Sequence, residues 1–591
     1  MANTMADHRK KRCAIIAAFF FVLSAGSFAQ TNNTTNSTPA QVYTNNPAQY
    51  NYDYNNNYNS NNVNNNNNFN NPPPQPSTNN PILPPVPGTR QPNSSDTGTA
   101  DKNPPPARDF VITPSLLTEE TYNDNVTLQP SGGQLYSSFI TEITPRLVMV
   151  ADGPRFKMNF DYSVQHLSFE GDLHTERTNQ ALAATSTTEL VSKLLYLDDS
   201  ANINQISATP FGNVTPNNLS VTDNRLTLRT LSISPYLKSE TPDMYTELRL
   251  MRDFVNTSYG ALTDSDSNTV SMTVKNGPAF KTVDWGLVYN DQTIYYPNQN
   301  SIVMESILAN TGLHVSPEFA LTASAGYEKN NYISIYQTDP EGADWSLGFD
   351  WTPSTRTHVA ASAGRHFYGD TYMLNASEKT FASVWSLGYT TGLTTSRNQF
   401  LVPATSSTVD FLNSLWQSSI PDAAQRQLVI NAFIQNTGLP ASLTSPVNTI
   451  SDQVFLQKDL QGSVALTGAK NTVLFSFFDL QRNAQTAALS SSTSTDNFNL
   501  LNDTRQRGLS LIWNHTLSPR TNTILMDSYS RSVSASNDIA FNSNIITTSL
   551  NYQLTAKLKL TLQYERIADD SNYLTGNFIQ DLISAMATFS F

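Results

Sequence analysis

From Phe110 onward, apolar and polar residues alternate in stretches of about ten, the length of a tilted membrane-crossing strand. In KLKLTLQYERI, Leu558, Leu560, Leu562 and Tyr564 face one way and Lys557, Lys559, Thr561, Gln563 and Glu565 the other. In EFALTASAGYEKN, Phe319, Leu321, Ala323, Ala325 and Tyr327 oppose a face of small and polar residues. VDWGLVYN and NIITTSLNYQL read the same way. QDLISAMATFSF carries the alternation to the C-terminus, with Ile583, Ala585, Ala587, Phe589 and Phe591 on one face. A period of two is the signature of a strand with one apolar face.

The connections alternate as well. ADGPR, ETPD, VSPE, TPST, TGAK, LSPR and LTAKL are tight, whereas NDNVTLQPSGGQ, ATPFGNVTPNN, SYGALTDSDSN, QTDPEGAD, RNAQTAALSSSTSTDNFN and ADDSNYLTGN are longer and polar. A short turn recurs about every 35–40 residues with a long loop between, which is one hairpin per period with all short turns at one end. The pattern predicts an all-β fold, a transmembrane antiparallel outer-membrane β-barrel of roughly 20–22 strands over 109–591. The first strand is expected at Phe110–Tyr122 and the last at about Asn577–Phe591, closing on each other because an open edge in lipid leaves backbone groups unpaired. No internal sequence repeat of solenoid type is present.

Composition agrees. The chain is 38 % hydrophobic and 10 % aromatic, with 25 Tyr and 29 Phe, which suits many half-buried strands and not a helical bundle. A net charge of −13 argues against nucleic acid as a partner. Residues 1–29 read as a secretory signal peptide: a basic stretch from His8 to Arg12, an apolar core from Cys13 to Leu23, and Ser27-Phe28-Ala29 as the exit. Cys13 is the single cysteine, so cleavage would leave no thiol. Residues 30–108, Asn-rich and then Pro-rich, are expected to be a disordered periplasmic linker. One stretch, 405–453, breaks the strand pattern. Ser419 and Asp422 resemble a capping box, Val429, Ile430, Phe433 and Ile434 share a stripe, and Gly438 can end the helix. This predicts a helix-containing loop insertion at the outer end, folded into the lumen, capping it, or packed on itself.

No catalytic or phosphate-binding signature occurs: no G-x-S-x-G, no P-loop and no H-E-x-x-H, and neither enzyme activity nor a cofactor is expected. His358 and His366 fall on one strand face, too little by themselves for a metal site. Glu120, Asp124 and Asn125 lack EF-hand spacing and read as the start of a polar loop. The candidate lumen-lining residues are Arg225, Arg229, Glu247, Arg249, Lys557, Lys559 and Glu565 on the polar faces. Tyr295, Tyr296, Tyr332, Tyr336, Tyr368 and Tyr372 lie near strand ends, as interfacial girdle residues or as stacking platforms for sugar.

Several blocks carry a family resemblance: ITPSLLTEETYNDNVTL, ITEITPRLVM, FDYSVQHLSFEGD, AGYEKNNY, DWSLGFDWTPSTRTHVAASAGRHFYGDTY and WSLGYTTGLTTSR. With Trp351, Pro353, Arg356, Gly364, Arg365, Phe367 and Gly369 as its most specific positions, the chain resembles the outer-membrane β-barrel family associated with PEP-CTERM/exosortase systems and exopolysaccharide gene clusters. The terminal Phe589 and Phe591 likewise resemble the C-terminal signal read by barrel assembly machinery. The resemblance implies an outer-membrane conduit or scaffold tied to exopolysaccharide export and surface protein sorting. Outer-membrane lipid, the assembly machinery, polysaccharide and periplasmic export components are the partners it implies. It brings no catalytic residues. A general diffusion porin and a structural anchor or adhesin with a closed lumen are the alternatives.

Overall fold

The computed structural model describes residues 110–591 except 214, 259–263, 298–299, 337–338, 355, 402–446, 448–450, 452, 487–502, 536–537 and 573–576. The predicted signal peptide, the 30–108 linker and the proposed helix after Ser419 all lie outside the described residues. The strands are β1 (Phe110–Asn123), β2 (Ser138–Asp152), β3 (Phe156–Gly171), β4 (Thr175–Val191), β5 (Leu195–Ser207), β6 (Arg225–Glu240), β7 (Met244–Thr257), β8 (Ser265–Asn276), β9 (Val283–Tyr295), β10 (Ile302–Ser316) and β11 (Phe319–Asn330). They continue as β12 (Glu341–Ser354), β13 (Thr357–His366), β14 (Gly369–Lys379), β15 (Ser383–Thr395), β16 (Val454–Thr467), β17 (Asn471–Ala484), β18 (Asp503–Ser518), β19 (Thr521–Ser534), β20 (Ile539–Gln553), β21 (Leu558–Ser571) and β22 (Phe578–Ser590). A six-residue helix, α1 (Ser396–Leu401), follows β15.

These strands form one 22-stranded sheet in which each strand pairs antiparallel with its sequence neighbours. The sheet closes through β1 against β22, with Glu119 opposite Met586 and Thr121 opposite Ser584, and the Phe591 N–H donates to the Pro114 carbonyl at 3.0 Å. The fold is therefore a transmembrane antiparallel outer-membrane β-barrel in which every described strand has a partner on both sides, as a hydrocarbon surround requires. The seven tight turns read from the sequence all lie at one end, and the six longer loops at the other.

Alternation sorts the side chains. Leu560, Leu562, Tyr564, Leu509, Leu511, Trp513, Phe475 and Phe477 face outward and are exposed, while Ser510, Ser476, Gln506 and Glu565 face inward and are buried. Outward-facing large apolar residues on a protein of this acidity are accounted for by a hydrocarbon surround. All five described tryptophans (Trp285, Trp345, Trp351, Trp385, Trp513) are exposed on this outer wall. Trp285, Trp351 and Trp385 lie within a few residues of the turn end, and Tyr122, Tyr295, Tyr327 and Tyr372 near the loop end, as two aromatic girdles. Towards the loop end the outer wall turns charged: Asp479 receives Arg505 and Arg507, Arg566 pairs with Asp581, and Arg252 with Asp266. Charges on that wall mark where the strands rise out of the hydrocarbon.

The most specific family-like block spans β12–β14. A Cβ at Gly364 would run into the Trp345 carbonyl, and Gly369 has φ +126°, so close approach and backbone angle account for the two glycines. Trp351 is exposed on the outer wall, Pro353 lies near the turn end of β12, and Arg356 is exposed in the turn before β13. Phe589 and Phe591 are exposed on the outer wall at the turn end.

Candidate functional site

The lumen is the site a barrel offers, and its two ends differ. At the loop end two connections fold inward. Residues 124–137 and 208–224 meet where the Val221 N–H donates to the Val126 carbonyl at 2.8 Å. Val126, Leu128 and Leu219 from these loops pack with the inward Ile140, Leu167, Phe169, Ile567, Phe578 and Leu582 as an apolar cluster inside the barrel mouth. Polar groups fix the position. Asn123 Nδ2 donates to the Leu219 carbonyl (2.7 Å), Ser220 Oγ to Gln580 Oε1 (3.1 Å), Asn218 Nδ2 to Gln165 Oε1 (2.7 Å) and Asn217 Nδ2 to Glu565 Oε1 (2.6 Å). The Arg225 guanidinium gathers the loop, donating to the carbonyls of Ser220 (3.3 Å), Thr215 (3.4 Å) and Asn217, and to Thr215 Oγ1.

A second segment enters from β15. Arg397 on α1 reaches the inner wall of β7 and β8, its side chain only 1 % exposed. It forms an ion pair with Asp253, itself fully buried, and donates to the Asp253 carbonyl (2.9 Å), the Ser265 carbonyl (2.9 Å) and Ser265 Oγ (2.8 Å). On the return path, Val447 exchanges two 2.8 Å hydrogen bonds with the amide of Gln506 on the inner wall of β18. Arg397 before the 405–453 insertion and Val447 within it thus contact the inner wall, and the rest of the insertion up to residue 446 lies outside the described residues.

Nearer the turn end, β5–β8 present a strip of tyrosines and charges to the lumen. Tyr196 stacks on Tyr236 with ring centroids 5.1 Å apart, and the Arg249 guanidinium lies 3.9 Å above the Tyr236 ring. Arg249 also pairs with Asp198 and Glu247, each at 2.9 Å. Lys238 and Lys275 flank the Tyr245 ring at 5.3 and 4.7 Å. Across the closure seam, Glu119, Glu142 and Glu565 form a buried acidic group on the inner wall, held by Thr121, Thr144, Gln165 and Asn217.

The sequence-predicted lumen residues divide accordingly. Glu247, Arg249, Lys559 and Glu565 face inward, and Arg225 serves the inner loop. Arg229 does not line the lumen. It is exposed, with the opposite parity to the buried Leu226, Leu228 and Thr230, and so lies on the outer wall; Arg225 shares its parity but is the first residue of β6, where its side chain turns back to the loop. Lys557 is exposed in the turn before β21 and lies off the wall altogether. Arg365 faces outward with its side chain 69 % exposed, 3.9 Å from Asp370. Among the tyrosines, Tyr295 and Tyr372 are girdle residues. Tyr296 and Tyr332 instead join an apolar cluster with Ile294, Met304, Leu393 and Val454, against which Tyr368 packs, and Tyr336 is exposed on the β11–β12 loop. Tyr296 and Tyr332 continue the inward parity of Ile294 and Asn330 just past the ends of β9 and β11.

No family model matches the chain, and no curated protein matches it in sequence. Solved structures similar to it include the FrpB iron transporter from Neisseria meningitidis (8 % identity, 81 % of each chain, TM-score 0.45). Others are the siderophore receptor PirA from Pseudomonas aeruginosa (10 % identity, 81 % of this chain and 80 % of that one, TM-score 0.41) and the outer membrane protein OpdK from the same organism (8 % identity, 81 % and 99 %, TM-score 0.31). At such identities the likeness is of barrel to barrel and says nothing of cargo.

Proposed function

We propose that this chain is an outer-membrane channel whose outer mouth is narrowed by its own inward segments, and that it serves as a conduit for exopolysaccharide. The observation that carries the reading is the tyrosine strip of β5–β8: stacked rings backed by Arg249, Lys238 and Lys275 on a lumen wall. Flat aromatic faces next to hydrogen-bonding charges offer weak, repeated contacts to a polyhydroxylated chain, and such contacts let a polymer slide without being trapped. The resemblance of the Trp351–Gly369 block to exopolysaccharide-associated barrels supports the same reading. A small-solute channel is the second reading, favoured by the paired charges Asp198, Glu247 and Arg249, which suit ions as well as sugars.

Two measurements test it. Deleting the gene should lower secreted polysaccharide, and unchanged secretion would overturn the export role. In planar bilayers, single-channel current should be blocked by added polysaccharide. Current insensitive to glycan would leave the small-solute channel, and absence of any current a closed anchor.

A further inference from the structure

At the loop end of the inner wall, far along β13 from His358, three neighbouring strands bring Glu328, Asp344 and His366 together. One ligand atom from each lies within 4.8 Å of the others. Registry places them there: His366 lies next to Arg365, which pairs with Trp345, so it faces Asp344, and Asp344 pairs with Gly326 two positions before Glu328. His366 Nδ1 is 2.8 Å from Glu328 Oε1, and its ring stacks on Tyr368 at 5.0 Å.

The surroundings favour a cation. Glu328 and Asp344 are 8 and 5 % exposed, and no described side chain donates a hydrogen bond to the Asp344 carboxylate. Space is kept for that carboxylate: a Cβ on Gly326 would come within 2.6 Å of Asp344 Oδ1. Two further buried oxygens on this inner face have no partner, Ser306 Oγ and Asn330 Oδ1. Ser306 pairs directly with Glu328, and Asn330 follows Glu328 on the same face of β11. The cations adjacent in sequence do not serve, because Lys329 and Arg365 have the opposite parity. Two carboxylates in one buried site repel unless a proton or a cation lies between them.

We propose that Glu328, Asp344 and His366 bind a divalent first-row transition ion of the zinc class, joining β11, β12 and β13 at the barrel mouth. An imidazole nitrogen with two carboxylates selects such ions over calcium and magnesium, which favour all-oxygen shells. Ligands about 2.1 Å from one zinc lie ~3–4 Å apart, so small side-chain rotations close the observed spread. Ser306 Oγ, Asn330 Oδ1 or water completes the shell. The site does not depend on what passes through the lumen.

The test uses the untagged full chain, folded in detergent, stripped with a chelator and then given zinc chloride. After desalting, the wild type should retain one zinc per chain by elemental analysis. Its heat-modifiable mobility shift should move to higher temperature with zinc. Asp344→Asn and His366→Gln should keep the mobility shift and lose at least ~tenfold in zinc affinity, whereas His358→Gln should match the wild type. Should both variants fail to fold, cobalt-loaded wild type must show the visible bands of a nitrogen- and oxygen-bound ion. A wild type that retains no zinc, variants that retain it equally, cobalt without such bands, or calcium displacing zinc at equal concentration would each overturn the proposal.

Discussion

The two segments that fold into the lumen are held by different physics. The 208–224 loop is gathered by Arg225 through carbonyls and one hydroxyl, with no carboxylate among its hydrogen-bond partners. The β15 segment is held by Arg397 against Asp253, both sealed from solvent. Neutral carbonyl and hydroxyl contacts carry no counter-charge and cost less to break than a buried ion pair, whose parting strands two charges in a low dielectric. The first segment has the chemistry of a releasable gate, and α1 that of a fixed anchor.

The largest effect should come from Arg397→Met, which leaves Asp253 buried and unpaired. A loss of about 3–5 kcal/mol is expected, read as a lower temperature for the heat-modifiable mobility shift. Replacing both partners, Arg397→Met with Asp253→Leu, should restore most of it. If the single substitution costs nothing, α1 is not fixed by this pair. Arg225→Ala comes next. Its cost is about 1–3 kcal/mol, confined to the loop, so single-channel conductance should rise while the mobility shift stays in place. Equal conductance would remove the gate from the comparison. Arg249→Ala should shift ion selectivity towards cations, because Glu247 and Asp198 lose their counter-charge, with stability changed by no more than about 1 kcal/mol. Reversal potentials in a salt gradient read that shift. Smallest of all, Arg229→Ala should alter neither conductance nor stability beyond about 0.5 kcal/mol, and a changed conductance would put this residue back in the lumen.

Strand positions, the sorting of short turns from long loops, and the closure of β1 on β22 were legible because each is written in local alternation and turn chemistry. Leu558, Leu560, Leu562 and Tyr564 needed no partner to be assigned one face. Other features depend on registry between strands. Glu328, Asp344 and His366 share no local motif, and only the pairing of three strands shows that they meet. Arg397 reads in sequence as an ordinary cation, since its partner Asp253 lies across the lumen on a strand 144 residues away. Tyr295 and Tyr296 group together by their nearness to a strand end, yet alternation separates them: Tyr295 is on the girdle and Tyr296, in step with Ile294, is inside the mouth.

The seam has a consequence in time. Thr121 and Ser584, whose hydroxyls meet at 2.6 Å, are 463 residues apart along the chain. Synthesis must run through nearly the whole polypeptide before β1 can find the strand that seals it, and until then a sheet of paired neighbours keeps two open edges, β1 and the strand last added. A chain whose seam joins its two ends therefore carries an edge able to pair with the wrong strand through most of its assembly.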